Sequence, residues 1–370
     1  MAAATNPAAT NAAATVPAPC QRHAGTVAEP VRDGRIDAAK GVAIALVVLG
    51  HAKGIPAEFT VLAYSFHVPL FFLLSGWLSH RRKAQIAAQT FATLIRTLLV
   101  PYAFFFFVAY AYWLVTRHIG EKALRWGQAS WWEPLGGLLT GIGPQLYVHP
   151  ALWFLPALFM TALAYFLLGK RLQSWIIAVL MLPLTMFWIL TFPATGLRLP
   201  FALDILPVAL FFYACGAAAA SAVVLPTSAL KGCALATVLL VPWLLLAWSN
   251  GRVDINQLRF GASAWKFILA ALLGTSVVLL ASPLAARSAV LRWMGRNTLL
   301  ILCAHILIFF VLSGVAAVLG LFPAGSKPGL AWALLVSVAS IALCVPLRLL
   351  FARYAPWALG LRGATARATA

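Results

Sequence analysis

Ten long apolar segments, separated by short polar stretches, account for most of the chain after residue 35. Their approximate bounds are 36–53, 61–79, 92–116, 151–169, 173–193, 201–221, 229–249, 264–282, 297–320 and 330–351. Each approaches the roughly 20 apolar residues that an α-helix needs to cross the hydrocarbon core of a bilayer. None shows the alternation of polar and apolar positions that is typical of a membrane β-strand. The pattern therefore predicts an all-α membrane protein, a bundle of about ten transmembrane helices.

The composition excludes a soluble protein. Of the 370 residues, 63% are hydrophobic and only 9% are charged, and the mean hydropathy is +0.92. Soluble domains carry about 25% charged residues. The five cysteines are scattered, without the spacing of a disulfide framework or a metal site, so we expect no bound metal.

The basic residues predict how the chain is oriented in the membrane. The 27 Lys and Arg outnumber the 8 Asp and Glu, an excess that could suggest a nucleic-acid partner. These residues lie mainly in the gaps between apolar segments, which instead indicates membrane topology, and we expect no nucleic acid. With both termini in the cytoplasm, about twice as many Lys and Arg lie inside as outside, as the positive-inside rule requires.

Three regions follow from the same patterns. Residues 1–34 are rich in Ala, Thr and Pro and show no periodicity, which predicts a disordered cytoplasmic tail. Residues 35–353 form the transmembrane domain, and residues 354–370 form a cytoplasmic C-terminal tail. Contact with membrane lipid follows from the length of the apolar segments.

The first apolar segment carries ionisable residues at helical spacing. Lys40 and His51 are eleven residues apart, or about three turns, so they lie on nearly the same face, about 16 Å from each other. Asp37 falls close to this stripe. Charged groups in a membrane helix are costly and usually face protein or a water-filled cavity. The alternative is that Lys40 reaches the inner headgroups and His51 lies at the outer interface, with no shared role.

The second segment favours a shared site. It enters from the outer side, so His67 begins at the depth where His51 ends, and Glu58 lies in the loop between them. Histidine is the usual side chain for moving protons near neutral pH, which makes these three residues candidates for catalysis. Deeper in the segment, the small residues Ser75 and Gly76 would allow close helix packing.

These two segments resemble the acyltransferase-3 family of bacterial membrane O-acyltransferases, most closely its fucose 4-O-acetylase-like members. The family signature is a basic residue followed, after ten residues, by a histidine, and it corresponds here to Lys40 and His51. Asp37 matches an acidic residue before the basic position. The family pattern Phe-His-x-Pro-x-Phe-Phe-x-x-Ser-Gly is present from Phe66 to Gly76.

Three later segments agree with the family in the same order, so the resemblance covers residues 35–353. They are Arg96-Thr-Leu-Leu-Val-Pro-Tyr102, Trp153-Phe-Leu-Pro156 and Gly295-Arg-Asn-Thr-Leu-Leu-Ile-Leu-Cys-Ala-His305. Many members carry Arg-x-x-Arg at the start of the third segment, whereas Thr93 stands here in place of the first Arg. If that pair binds donor phosphates, the upstream Arg82 and its basic neighbours replace it, or the donor site differs.

The resemblance implies an enzyme of the bacterial inner membrane. It would move an acetyl group from cytoplasmic acetyl-CoA to a hydroxyl of an extracytoplasmic sugar, in a surface polysaccharide or a lipid-linked glycan. His51 would be the general base or a transient acetyl carrier, oriented by His67 or Glu58. Lys40 and Arg96 would hold the donor phosphates.

Several alternatives remain open at this point. In one alternative, Lys40 serves only to neutralise Asp37. Ser75 could lie along the acyl path, and His305 could be a catalytic group or a hydrogen-bonding residue between helices. Other histidines, including His149, are expected to be solvated. A transporter or flippase for a lipid-linked sugar is the main rival function, although the paired repeats typical of transporters are not evident.

Overall fold

A computed structural model describes residues 32–80, 86–119, 121–321 and 328–361, and its compact unit begins at Gly34. The described residues contain fifteen α-helices, numbered here in chain order, and a short antiparallel hairpin. The helices are α1 Gly34–His51, α2 Ala57–Tyr64, α3 His67–His80, α4 Ala87–Leu94, α5 Val100–Thr116, α6 Glu121–Trp126, α7 Glu133–Thr140, α8 Phe154–Leu168, α9 Ser174–Thr191, α10 Leu206–Ala222, α11 Ala229–Asn250, α12 Ala264–Ala285, α13 Ala289–Arg296, α14 Thr298–Val318 and α15 Leu330–Tyr354. The hairpin strands are β1 Val253–Asp254 and β2 Arg259–Phe260.

The prediction of an all-α membrane bundle is confirmed. Within the described ranges, nine helical segments are long and apolar enough to cross a membrane. The tenth predicted span is α1, which differs from the other nine by carrying Arg35, Asp37 and Lys40 in its first two turns. The side of the membrane on which the termini lie stays a prediction.

Two of the spans are less regular than the apolar pattern predicted. The second consists of α2 and α3, which are separated at Ser65 and Phe66. Pro69 accounts for this break, because a proline removes the hydrogen bond to the carbonyl four residues earlier and clashes with it. The third span joins α4 to α5 through a π-helical turn, Ile95–Leu99, a rare geometry that is frequently found at functional sites.

The centre of the bundle is α10, with α3 packed directly against it. In the span Pro200–Ala222, which contains α10, 67% of the most apolar stretch is buried inside the protein. The corresponding share for α11 is 17%, so most of α11 must face lipid. Two glycines allow the close contact between α3 and α10. A Cβ at Gly76 would overlap the carbonyl oxygen of Tyr213, and one at Gly216 would overlap that of Leu73. The absence of a side chain at Gly76 and Gly216 is therefore what lets α3 and α10 approach this closely.

The predicted tails lie largely outside the described residues. Residues 1–31 and 362–370 are not described, so the expected disorder of the N-terminal tail and the cytoplasmic location of both tails stay predictions. The first part of the C-terminal segment forms a 3-10 turn at Pro356–Leu359 that packs against α5, and both Ala358 and Leu359 are buried.

The hairpin that connects α11 to α12 is firmly attached to the helices around it. Asn250 donates its side-chain amide to the carbonyl of Phe260 at 2.9 Å and accepts from the backbone N–H of Ser263 at 2.9 Å. Val253 is fully buried, and Phe260 is nearly so. These contacts fix the position of the residues between the two strands.

Candidate active site

A cavity of about 520 Å³ lies inside the bundle. Its walls come from α1, α3, α8 and α14, from the π-helical turn before α5, and from the hairpin. The lining includes Lys40 near one end of α1 and His51 at the other end. A single cavity therefore extends along the whole stripe that the sequence predicted.

The cavity-facing residues of α1 recur at helical spacing. Lys40, Ile44, Val47 and His51 all line the cavity, and the intervals of four, three and four residues place them on one face. Asp37 is not part of this lining. It is buried, and its carboxylate accepts from Nε of Arg296 at 3.2 Å. The structure thus brings Lys40 and His51 into one site and uses Asp37 to hold α13 against α1.

The His51 end of the cavity contains a second histidine and a tyrosine. His67 donates from Nδ1 to the carbonyl of Ala63 at 2.8 Å, which leaves Nε2 with a lone pair in the neutral ring. The ring of Tyr64 meets the His67 ring edge-on, with centroids 4.7 Å apart. The Tyr64 hydroxyl donates to the carbonyl of Gly50 at 3.1 Å. His51, His67 and Tyr64 all line the cavity, as expected for the two histidines.

Two further histidines lie behind His51. The ring centroid of His305 is 5.3 Å from that of His51, and His305 donates from Nδ1 to the carbonyl of Ile301 at 2.9 Å. His149 donates from Nε2 to the carbonyl of Cys303 at 2.7 Å. The second nitrogen of each ring is buried and has no hydrogen-bond partner within the described part of the chain. Each ring therefore offers an unused acceptor near the site.

The expectation that His149 is solvated was wrong, since its side chain is fully buried. The short polar stretch before the fourth span suggested a surface loop. In the structure, the chain turns inward there, and Nε2 of the imidazole donates to the carbonyl of Cys303 on α14. The signal in the sequence that could have revealed this burial was that His149 directly precedes Pro150 and the Trp153-Phe-Leu-Pro156 motif.

The burial of His149 predicts a pH dependence of stability. His149 precedes the span that begins at Pro150, and burial lowers the pKa of its imidazole to about 4, against 6.5 for a free histidine. The unfolded chain then binds the proton more tightly, so the contribution of His149 is present above pH 6.5 and is lost as the pH falls toward 4. We expect His149→Asn to reduce the acid-induced loss of unfolding free energy by about 3 kcal/mol. Denaturation in detergent at pH 7.5 and pH 4 measures the difference, and an unchanged pH dependence would contradict the assignment.

The remaining predicted residues are distributed differently. Ser75 lines the cavity and donates its hydroxyl to the carbonyl of Phe71 at 2.7 Å. Glu58 is exposed in the first turn of α2 and does not line the cavity, so the structure does not bring it to the histidines. Arg96 lies in the π-helical turn, whose residues Thr97 and Leu98 line the cavity while Arg96 does not. Arg82 lies outside the described residues.

Polar side chains of the hairpin were not predicted to form part of the site. Asp254, Asn256 and Gln257 all line the cavity at the end that contains His51 and Tyr64. Burial raises the pKa of Asp254 above its usual value, and its carboxylate accepts from the backbone N–H of Gln257 at 3.2 Å. No periodicity marks such residues in a short loop, so only the tertiary structure shows that they face the cavity.

The pair formed by Arg198 and Asp204 has a structural role. Nε of Arg198 lies 2.6 Å from Oδ2 of Asp204, and Asp204 is fully buried. Arg198 also donates to the carbonyl of Asn256 at 2.8 Å. The pair therefore positions the hairpin and does not line the cavity. No group of three His, Cys, Asp or Glu in the described ranges is arranged to hold a metal ion.

Comparison with known families gives one match. The acyltransferase-3 family model, described as an acyltransferase domain, matches residues 33–349. This range includes every helix that lines the cavity. No curated protein and no solved structure shows significant similarity to the chain.

Proposed function

We propose, on the premise that this chain belongs to the acyltransferase-3 family and is a multi-pass membrane acyltransferase, that it acetylates an extracytoplasmic sugar. The donor is cytoplasmic acetyl-CoA, and the acceptor is a hydroxyl group of a surface polysaccharide or a lipid-linked glycan. The inner membrane of a bacterium is the compartment in which these two substrates lie on opposite sides. The fucose 4-O-acetylase-like motifs favour a sugar as acceptor.

One observation carries this proposal: the same cavity is lined by Lys40 near one end of α1 and by His51 at the other end. Over eleven residues of helix, the two side chains are about 16 Å apart along the axis. A donor with phosphates at one end and a thioester at the other matches this distance between the charge of Lys40 and the imidazole of His51. The apolar residues between them, including Ile44 and Val47, suit the uncharged arm of such a donor.

Lys40 supplies the positive charge at the donor end. An ammonium group binds phosphate oxygens through charge-assisted hydrogen bonds. Arg96 lies beside the cavity wall, and its buried Nε has no hydrogen-bond partner among the described residues, so its guanidinium is a second candidate for phosphate binding. Arg82 follows α3 in the chain and stays a candidate on sequence grounds alone.

His51 supplies the base at the acceptor end. Its neutral ring takes the proton of the sugar hydroxyl as the oxygen attacks the thioester carbonyl. The new C–O bond forms, the C–S bond breaks, and the proton then passes from His51 to the sulfur to give the free thiol of CoA. The Nε2 atom of His305, on the ring beside His51, carries a free lone pair. If one ring nitrogen of His51 donates its N–H to this lone pair, the other nitrogen of His51 is available to accept the proton of the hydroxyl. Attack by His51 itself, with a transient acetyl-imidazole, uses the same residues.

The removal of the charge at Lys40 tests the donor site. We expect Lys40→Gln to raise the KM for acetyl-CoA by about tenfold or more, because a hydrogen bond to a charged group contributes about 1.5–3 kcal/mol. The kcat should change little, since Lys40 is far from the reacting carbonyl. Lys266→Gln is the matched control, because Lys266 lies on α12 and does not line the cavity. An unchanged KM in Lys40→Gln would assign Lys40 to a structural role.

Donor turnover tests the function as a whole. Purified protein in nanodiscs is supplied with acetyl-CoA labelled in the acetyl group, with and without a panel of methyl hexosides and a lipid-linked glycan. The proposal predicts release of CoA and label on a sugar or on the protein. If acetyl-CoA is neither bound nor consumed while the glycan binds, the rival function, transport of a lipid-linked sugar, takes its place.

A further inference from the structure

The hairpin between α11 and α12 reaches the reactive end of the cavity. Asp254, Asn256 and Gln257 line it beside Tyr64, and the Asp254 carboxylate is close enough to influence the Tyr64 hydroxyl electrostatically. His51 and His67 line the same cavity. Three polar side chains from one loop therefore line the cavity that contains the proposed base.

These side chains are held in place before any ligand binds. Arg198 donates to the carbonyl of Asn256 at 2.8 Å and is itself held by the buried carboxylate of Asp204. Val253 and Ile255, on either side of Asp254, are buried. A binding group that is fixed in advance loses little entropy when a ligand arrives. The hairpin thus has the rigidity expected of a binding surface.

The chemistry of the three side chains selects a ligand class. A carboxylate accepts hydrogen bonds, and the two amides both donate and accept, a combination that suits several neighbouring hydroxyl groups. The arginines on the hairpin, Arg252 and Arg259, are exposed and do not line the cavity. Both arginines act on the Asp254 carboxylate electrostatically, but from outside the cavity lining. A negatively charged ligand in the cavity would therefore contact the Asp254 carboxylate and neither of these arginines.

We infer that the hairpin is the acceptor subsite, and that Asp254, Asn256 and Gln257 bind the ring hydroxyls of a neutral sugar while His51 acts on the hydroxyl that is acetylated. This inference rests on the proposed function. The aromatic residues Trp153 and Phe154 also line the cavity and offer apolar surface for the faces of a sugar ring. Anionic sugars such as uronic acids are disfavoured by the carboxylate.

Kinetics that separate donor from acceptor test the subsite. Wild type, Asp254→Asn, Asn256→Ala and Gln257→Ala are assayed with acetyl-CoA against methyl hexosides and the corresponding methyl hexuronates. We expect each variant to raise the KM for the neutral acceptor by about tenfold, while the KM for acetyl-CoA stays unchanged. Asp254→Asn should also reduce the preference for hexosides over hexuronates. Glu133→Gln, an exposed carboxylate that does not line the cavity, is the control.

The outcomes distinguish the subsite from the function. Equal changes in the KM values for donor and acceptor, or no change in either, would overturn the subsite while leaving the acyltransferase in place. Failure of the wild type to consume acetyl-CoA would instead count against the proposed function. If the wild type acetylates none of the panel, the same sugars are titrated as thermal stabilisers of wild type and Asp254→Asn. Stabilisation of the wild type alone supports the subsite, and the absence of any stabilisation rejects it.

Discussion

Substitution of His51 by asparagine is expected to lower the rate of acetyl transfer by about 10²–10⁴-fold, the usual contribution of a general base. Asparagine retains a polar group of similar size but cannot take the proton of the hydroxyl near neutral pH. His51 is half-buried, lines the cavity, and is separated from the phosphate-binding end by about three helical turns. The KM for acetyl-CoA should therefore change much less than kcat. Steady-state kinetics with labelled acetyl-CoA measure both.

The control for this variant is an exposed histidine. His118 follows α5 and is exposed, so His118→Asn should behave like the wild type. Folding of the His51→Asn protein is checked by its unfolding temperature in detergent. Transfer at more than a tenth of the wild-type rate in a folded His51→Asn protein would exclude His51 as the base. His67 would then be the candidate base, because its Nε2 is also left with a lone pair.

A substitution at the contact between α1 and α13 is expected to have a large effect on stability. A Cβ at Gly295 would overlap the carbonyl oxygen of Asp37, and one at Gly41 would overlap that of Leu291. Because the atoms in the way belong to helical backbone, no side chain can move to make room. We expect Gly295→Val to destabilise the folded protein by about 3 kcal/mol or more, at or above the upper end for overpacked sites. Loss of the monodisperse species and a lower unfolding temperature in detergent would show this.

A glycine without neighbours provides the comparison. Apart from the adjacent residues and backbone of its own helix, no atom of the described residues lies within 4 Å of a Cβ placed at Gly136 in α7. Gly136→Ala should therefore leave stability unchanged or slightly higher, because alanine is the better helix former. Equal stability of Gly295→Val and Gly136→Ala would mean that α1 and α13 are farther apart than described.

The helical bundle could be predicted from the sequence because each membrane helix must satisfy its own backbone in lipid. Each apolar segment can therefore be recognised from its own sequence, without knowledge of its tertiary contacts. The stripe on α1 was equally accessible, since Lys40 and His51 belong to one helix and their relation depends only on its pitch. The resemblance to the family added an expected chemistry for these two residues, not their geometry.

The parts that could not be predicted depend on contacts between distant segments. His149 and His305 approach His51 from different elements, and no local pattern gives that distance. Asp37 was predicted to lie close to the stripe on α1, but the partner of its carboxylate could not be predicted, because Arg296 is 259 residues later in the chain. Asp254 lies in a loop of two-residue strands that is too short to show a period. Tertiary packing therefore determines which polar residues meet at the acceptor end of the cavity.

Transfer of the acetyl group across the membrane can be measured in sided proteoliposomes. Labelled acetyl-CoA, which does not cross a bilayer, is added outside, and a methyl hexoside is sealed inside. We expect labelled acetyl ester on the enclosed sugar, formed by the wild type and not by His51→Asn. Label found only on sugar that shares the compartment of acetyl-CoA would contradict a path along the cavity from Lys40 to His51.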